Sequence, residues 1–524
     1  MVHRAGKPLP RERIRAPYAD AGDYPQHLDT GLLKIAAVCV LAAIMTILDT
    51  TVVNVAQRTF INQFGATEAV VAWTMTGYTL ALAAVIPLTG WAADRFGTKR
   101  LFIGSVVLFT AGSVLCAIAS SITLLVTYRV IQGLGGGMLM PLVFTILTRE
   151  AGPARIGRLT SLLGIPMLIG PVFGPIVGGW LIDSFSWPWI FWINVPIGVI
   201  SVVLAALVFA RDEPTPAESF DFIGMLLLSP GLATFLYGVS SLPQRGTVTD
   251  RQVWIPAAVG VVLIVGFVAH ARRSTQPLID LRLFTNPVVS LTNAAMLFFA
   301  AAFYGAILLL PSYFQEVFQQ TPFQSGIHIL PQGLGAALTM PLAGRIMDRR
   351  GAGTIVLVGV TLMCTGMGIF SYGVCHQVPY SPTLVVGLVI VGMGVGAAMM
   401  PLSAAAVATL RPQQVARGST LINVNQRVAG SVGTAVMAVI LTSQFNHSAA
   451  VTAARKVTTA REHAARLGAP VDAAAIPPIA RTPGFVASVM HDLSHAYGLV
   501  FMVVAAVVAL AYVPALLLPR KPLR

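Results

Sequence analysis

Gly90-Trp-Ala-Ala-Asp94-Arg95-Phe-Gly97-Thr-Lys99-Arg100 and Gly344-Arg-Ile-Met-Asp348-Arg349-Arg350-Gly351 are two short charged stretches, each set between long apolar runs. Gly90 with Gly344, Asp94 with Asp348, Arg95 with Arg349 and Gly97 with Gly351 share a single offset of 254 residues. Chance seldom keeps so constant a register, so the chain reads as two related halves. Each stretch predicts a tight turn between two membrane helices. Its glycines permit close approach and positive φ, its Asp is suited to capping a helix N-terminus, and its Arg/Lys cluster marks the cytoplasmic side.

Composition agrees with a membrane setting. Of 524 residues 56% are hydrophobic and only 10% charged, and mean hydropathy is +0.77. That is too little charge to cover a soluble surface of this size, so the chain reads as an integral membrane protein. A net charge of +14 would suit a nucleic-acid partner. The basic residues, however, fall mainly in short loops on alternate sides of apolar spans, which argues against nucleic acid. Cys39, Cys116, Cys364 and Cys375 lie in or beside apolar runs without CxxC or Cys/His clustering. No metal site or disulfide framework is expected.

Fourteen runs reach the roughly 20 residues that a bilayer requires. Residues 1–30, rich in Pro and Arg, read as a disordered cytoplasmic tail, 31–212 as a six-helix bundle and 213–275 as two additional helices. Residues 276–524 read as a second six-helix bundle with a long outer loop near 443–495, whose Ala-rich first part suits a helix. An even number of spans puts both termini on one side. The short outer loops hold only Arg58, Arg245 and Arg251, whereas Arg149, Arg155, Arg158, Arg272, Arg273, Arg411, Arg417, Arg520 and Lys521 fall on the other side. That asymmetry places both termini in the cytoplasm.

An ionisable side chain at mid-membrane costs roughly 2.5–3.5 kcal/mol on insertion scales, and three residues incur that cost. Asp49, in Leu48-Asp49-Thr50-Thr51-Val52-Val53-Asn54-Val55-Ala56, reads as a carboxylate that loads and releases a proton. The alternative is a structural carboxylate bonded to nearby threonines or backbone. Arg129 shares a helix face with Gln132, Gly133 and Gly136. It cannot deprotonate, so it reads as a fixed cation that relays the state of a neighbouring carboxylate, or as a snorkelling residue. Arg427, in Asn423-Val-Asn425-Gln426-Arg427-Val-Ala-Gly430, is open to either reading. Asn54 and Gln132 join Arg427 as coupling or cavity candidates. Trp73, Tyr78, Phe299, Phe303, Tyr304 and Gln332 are candidates for a cavity wall.

Gly133 to Gly137 and Gly392-Met-Gly394-Val-Gly396 look like nucleotide loops, but neither follows a strand and no Gly-Lys-Ser/Thr occurs. They read as helix-packing glycines. Gly170-Pro171-Val-Phe-Gly174-Pro175-Ile-Val-Gly178-Gly179 places Gly170, Gly174 and Gly178 on a ridge without side chains. Pro171 and Pro175 remove backbone bonds beside it. This combination suits a pivot or a seal.

Together these stretches resemble the major facilitator superfamily, specifically its fourteen-helix drug:proton antiporters of the EmrB/QacA type, over nearly the whole chain. Gly90 to Arg100 resembles the loop signature between helices 2 and 3, and Arg129 to Gly133 the helix-4 signature. Gly170 to Gly179 resembles the antiporter signature of helix 5, and Asp49 to Ala56 the helix-1 signature of the fourteen-helix group. Two departures stand out. Gln57 and Arg58 follow Ala56 where the family usually continues Leu-Pro, implying a straighter outer end, and Pro188 stands where the family commonly has Arg.

The resemblance implies an all-α fold of two six-helix bundles with two inserted helices, in the cell inner (plasma) membrane. It also implies proton-coupled export of lipophilic or cationic compounds by alternating access, with no cofactor beyond the proton gradient. The expected partners are small-molecule substrates, protons and the lipid bilayer, with a periplasmic adaptor where the source has an outer membrane. The rival readings are transport of one dedicated metabolite, lipid or siderophore, and a non-transporting sensor or scaffold. No nucleophile, base or metal cluster suggests an enzyme.

Overall fold

The computed structural model describes residues 29–66, 68–151, 155–212, 220–245, 249–411, 414–467 and 476–520. Nearly all of the expected N-terminal tail lies outside them. In hydrocarbon a backbone N–H has no water to bond, so apolar runs of this length satisfy themselves as helices. The first half contains α1 (Thr30–Val55), α2 (Trp73–Val85), α3 (Leu88–Phe96), α4 (Thr98–Ala117), α5 (Ile122–Ala151), α6 (Ile156–Ser184) and α7 (Asn194–Val208). An inserted pair follows, α8 (Phe222–Arg245) and α9 (Arg251–Arg273). The second half contains α10 (Pro287–Glu316), α11 (Pro322–Arg350), α12 (Ala352–Cys375), α13 (Val385–Ala408), α14 (Val415–His447), α15 (Ala449–Leu467) and α16 (Phe485–Leu510).

Eleven helices are long and apolar enough to cross a membrane, or twelve when α2 and α3 count as one span bent by 56°. The bend falls at Pro87, which offers no N–H to the ladder. Helices α6 and α11, each of 29 residues, pack among these spans, which is consistent with the fourteen expected.

The repeated stretches form tight turns, with Gly97 at φ +89° and Gly351 at φ +83°. The expected capping role of Asp94 is corrected. Its carboxylate pairs with Arg149 at 2.9 Å, and the N-terminus of α4 is capped by Asp212, which accepts from the amides of Lys99 and Arg100, each at 2.9 Å. A side chain at Gly97 would collide with that carboxylate. In the second half, Pro519 likewise returns its carbonyl to Gly353 N at 3.1 Å. In both halves, then, the chain leaving the last helix ties down the start of the third.

At the end of the bundle that holds Asp29 and Arg520 the halves touch. Arg158 of α6 pairs with Asp348 of α11 at 2.9 Å. A Cβ at Gly90 would stand 3.2 Å from both Arg417 Cα and Thr420 Oγ1 of α14. Arg95, Arg100 and Arg349 are exposed at the same end. Inserted helix α8 spans the seam between α2 and α14. Tyr237 stacks on Trp73 at 5.6 Å, and the Ser240 and Ser431 hydroxyls lie 3.4 Å apart. At the opposite end the Ala-rich part of the long loop is helical, as α15. The last helix starts at Phe485, ahead of the span near 496 that hydropathy marks.

The glycine ridge on α6 meets α1. Side chains at Gly170 and Gly174 would strike Ile47 and Thr51, and one at Gly178 would come within 2.9 Å of Val52, whereas Gly179 has open space around it. The α6 segment that carries Pro171 and Pro175 stays helical. The ridge therefore sets how closely α6 approaches the segment of α1 that carries Asp49. Gly174→Leu should lower the thermal unfolding midpoint in detergent, since overpacking costs about 1–3 kcal/mol or more, and Gly179→Leu should leave it unchanged. Equal midpoints in the two variants would show that the ridge does not govern this packing.

Candidate functional site

Asp49 sits on α1 with 1% of its surface exposed, and Arg129 of α5 is fully buried. Arg129 Nη1 donates to Asp49 Oδ2 at 2.6 Å. Gln132, one turn along α5, donates to Asp49 Oδ1 at 2.8 Å, and Asn194 of α7 donates to the same oxygen at 3.0 Å. Three donors, one of them a guanidinium, thus converge on one carboxylate. That is the usual solution for a charge held away from water.

The threonines flanking Asp49 do not serve it. Thr46, Thr50 and Thr51 bond back to carbonyls of their own helix at 2.8–3.2 Å. The carboxylate is therefore no local helix feature, because its partners come from α5 and α7. Packing explains how they reach it. Gly112 of α4 lets α5 lie so close that a Cβ there would stand 2.7 Å from Gln132 Cα. The neighbouring Ser113 hydroxyl accepts from Gln132 at 2.6 Å and from Asn194 at 3.2 Å. Gly133 and Gly136 bring α2 against α5, which sets the Tyr78 ring 4.1 Å from the Arg129 guanidinium carbon. Arg129 Nε donates to Thr74 O at 3.1 Å.

The site is not saturated. Arg129 Nη2, Asn194 Oδ1 and the Tyr78 hydroxyl are buried without a hydrogen-bond partner. An unmatched buried polar atom costs about 1–3 kcal/mol, so the polar cluster around the ion pair has hydrogen-bonding capacity to spare.

Of the residues singled out in sequence, Asp49, Arg129 and Gln132 come together. Asn54 does not; it lies more than one turn beyond Asp49, exposed. Arg427 stands apart on α14, exposed. Phe299 and Phe303 are buried among helices at 0% and 4% exposure, so they are not cavity walls. Trp73 is engaged with the inserted pair, and Tyr78 lies beneath Arg129. Asn194 and Ser113 escape the sequence reading, although an amide inside the run Trp192-Ile-Asn194-Val-Pro196 carries a cost in lipid of the same kind as that which exposes Asp49, though a smaller one. Ala56 marks a break, after which a short helix continues over Gln57–Phe64, where a straighter end was expected. Pro188 precedes the short helix Trp189–Trp192. A groove between the start of α1 and the end of α7, lined by Asp29, Lys34, Glu150 and Arg155, contains none of these residues.

Sequence and fold comparisons identify relatives of this chain. Residues 39–434 match the profile of the Major Facilitator Superfamily. The chain is 57% identical over 515 residues to a "Multidrug resistance protein B homolog" of Mycobacterium tuberculosis (strain ATCC 25618 / H37Rv), covering 98% of this chain and 95% of that protein. It is 30% identical over 414 residues to "Multidrug export protein EmrB" of Escherichia coli (strain K12), covering 77% and 79%. Among solved structures, the proton:xylose symporter XylE superposes with a TM-score of 0.57 at 14% identity, over 92% of this chain and 95% of that one.

Removing one member of a buried ion pair typically costs about 3–5 kcal/mol, because the other is left uncompensated. Arg129→Ala should therefore destabilise the protein strongly in detergent unfolding, while Asp49→Asn combined with Arg129→Gln recovers part of the loss. Additive effects in that double-mutant cycle would show that the two groups do not act as a pair.

Proposed function

The chain belongs to the Major Facilitator Superfamily, and from that premise we propose that it is a proton-coupled exporter of lipophilic compounds, working by alternating access with Asp49 as its proton site. The observation that carries this reading is the buried Asp49–Arg129 pair joining α1 to α5, with Asn194 of α7 bonded to the same carboxylate. A neutral amide would satisfy the hydrogen bonding at lower cost in lipid. A carboxylate there is useful because it can gain and lose a proton. Protonation removes the charge that holds Arg129, so α1 and α5 become free to shift. Deprotonation draws them together again.

The relatives named for multidrug resistance and export support the choice of export over uptake and of many compounds over one. The clustering of Arg and Lys at the end carrying the termini supports a cytoplasmic placement of both in the inner membrane. There, Arg158–Asp348 and the Gly90–Thr420 contact hold the halves together on the inner side.

One proton per cycle is the simplest stoichiometry, since Asp183, Asp221, Glu316 and Asp348 all lie at helix ends. One charge crossing about 100 mV releases roughly 2.3 kcal/mol, enough for roughly a fiftyfold gradient of a neutral compound. In reconstituted vesicles, wild type should accumulate a neutral lipophilic compound only when a proton gradient is imposed. Asp49→Asn should still bind the compound yet fail to concentrate it. Proton-driven accumulation at the wild-type rate in Asp49→Asn would overturn the assignment.

A further inference from the structure

Arg427 is a mid-bundle cation without a counter-ion. It lies about 18 Å along the 33-residue helix α14, at 1.5 Å per residue. Its side chain is exposed and makes no hydrogen bond or ion pair among the described residues. It lies two turns beyond Thr420, on the face of α14 that meets Gly90 of the other half. At its own level it is close enough to act electrostatically on the hydroxyls of Tyr78, from the first half, and Tyr304, from the second. The guanidinium is therefore exposed on the side of α14 that faces the other half.

From this we infer that Arg427 is an anion anchor, and that the compounds carried best are monovalent organic anions with an aromatic or aliphatic body. The inference rests on the exporter reading above and supplies its substrate class. Arginine only donates hydrogen bonds and keeps its charge. The carboxylate buried in the first half, Asp49, is already committed to Arg129 at 2.6 Å, so with Asp49 ionised the remaining mid-bundle charge among the described residues is the positive one of Arg427. The neighbouring Tyr304 hydroxyl has no partner among the described residues, and the Tyr78 hydroxyl is buried and unpaired. Of the two, half-buried Tyr304 is the one placed to donate to an anion. One turn beyond Arg427, Gly430 has no side chain, and a Cβ there would come within 2.8 Å of the Tyr304 ring. That close packing of α14 on the ring holds Tyr304 beside the charge. A carboxylate or sulfonate matches the fork of a guanidinium. A cationic compound would meet an uncompensated like charge, which reverses the sequence-based expectation of cations.

Export of an anion against an entering proton moves two charges in the same electrical sense. Membrane voltage therefore drives such a compound more steeply than a neutral one.

The test uses three fluorescent probes of one shape, 1-naphthaleneacetate, 1-naphthalenemethanol and 1-naphthylmethyl-trimethylammonium, titrated into purified full-length protein in detergent. Wild type should bind the acetate best and the ammonium worst. Arg427→Gln should weaken the acetate by roughly tenfold or more, the scale expected for a hydrogen bond to a charged group. The same variant should leave the alcohol unchanged and tighten the ammonium, and Arg427→Lys should keep most of the preference. Undetectable acetate binding, acetate binding no tighter than that of the alcohol, or an unaltered preference in Arg427→Gln overturns the inference. Binding needs no gradient, so these outcomes stand apart from a failure of proton coupling, which appears as loss of gradient-driven accumulation of the neutral alcohol in vesicles.

Discussion

The 2.6 Å contact between Asp49 and Arg129 is the constraint around which the first half is arranged. Two charges removed from water are tolerable only with close geometry and with their remaining hydrogen-bonding capacity met. The surrounding packing serves that requirement. Gly112 brings α4 to the back of α5 at Gln132, Gly133 brings in α2, and the glycines of α6 seat α1 so that its carboxylate faces inward. Many of the glycines that make this half dense are thus accounted for by one polar contact.

The same density explains why a local change of charge can become a change of shape. Close-packed helices do not deform continuously. When the bond holding α1 to α5 weakens, the available response is a shift of one helix against another. Arg129 Nη2 and the Tyr78 hydroxyl, already without partners, are positioned to receive new ones. Remote contacts such as Arg158–Asp348 lie between halves and sense that shift only through α6. This helix touches α1 along its glycine ridge and α11 on another side.

Much of this was legible in the sequence because lipid penalises mistakes so heavily. Asp49 and Arg129 are conspicuous because charge is rare at mid-span, and the two halves are conspicuous because the turn between helices needs the same glycine twice. What escaped was whatever depends on which helix lies beside which. The capping of α4 by Asp212 joins residues more than one hundred positions apart, and no local spacing encodes it. Asn194 was overlooked because one amide in an apolar run is a weak signal until α7 is seen against α1. Asn54 looked as good as Gln132 in sequence. Helical rotation separates them: Gln132 faces the carboxylate, whereas Asn54, five residues beyond Asp49, turns away from it.

The two halves repeat a fold without repeating its chemistry. Carried forward by the 254-residue offset of the loop repeat, Asp49 falls on Phe303, a buried hydrophobe. The interior of the second half is held by neutral amides instead. Asn425 donates to Asn293 O at 2.8 Å and Gln426 donates to Ser403 Oγ at 3.2 Å. Neutral amides do not titrate, so this half has no reason to respond to a proton at that level. Arg427, a cation near the middle of α14, is left to face the other half. The buried ion pair thus lies in the first half, while the matching interior of the second half has neutral amides and Arg427. On the proposal that Asp49 is the proton site, a proton there would remove a negative charge from the same interior in which Arg427 keeps its positive one, and would alter the field that a charged substrate meets between the halves even though the two residues never touch.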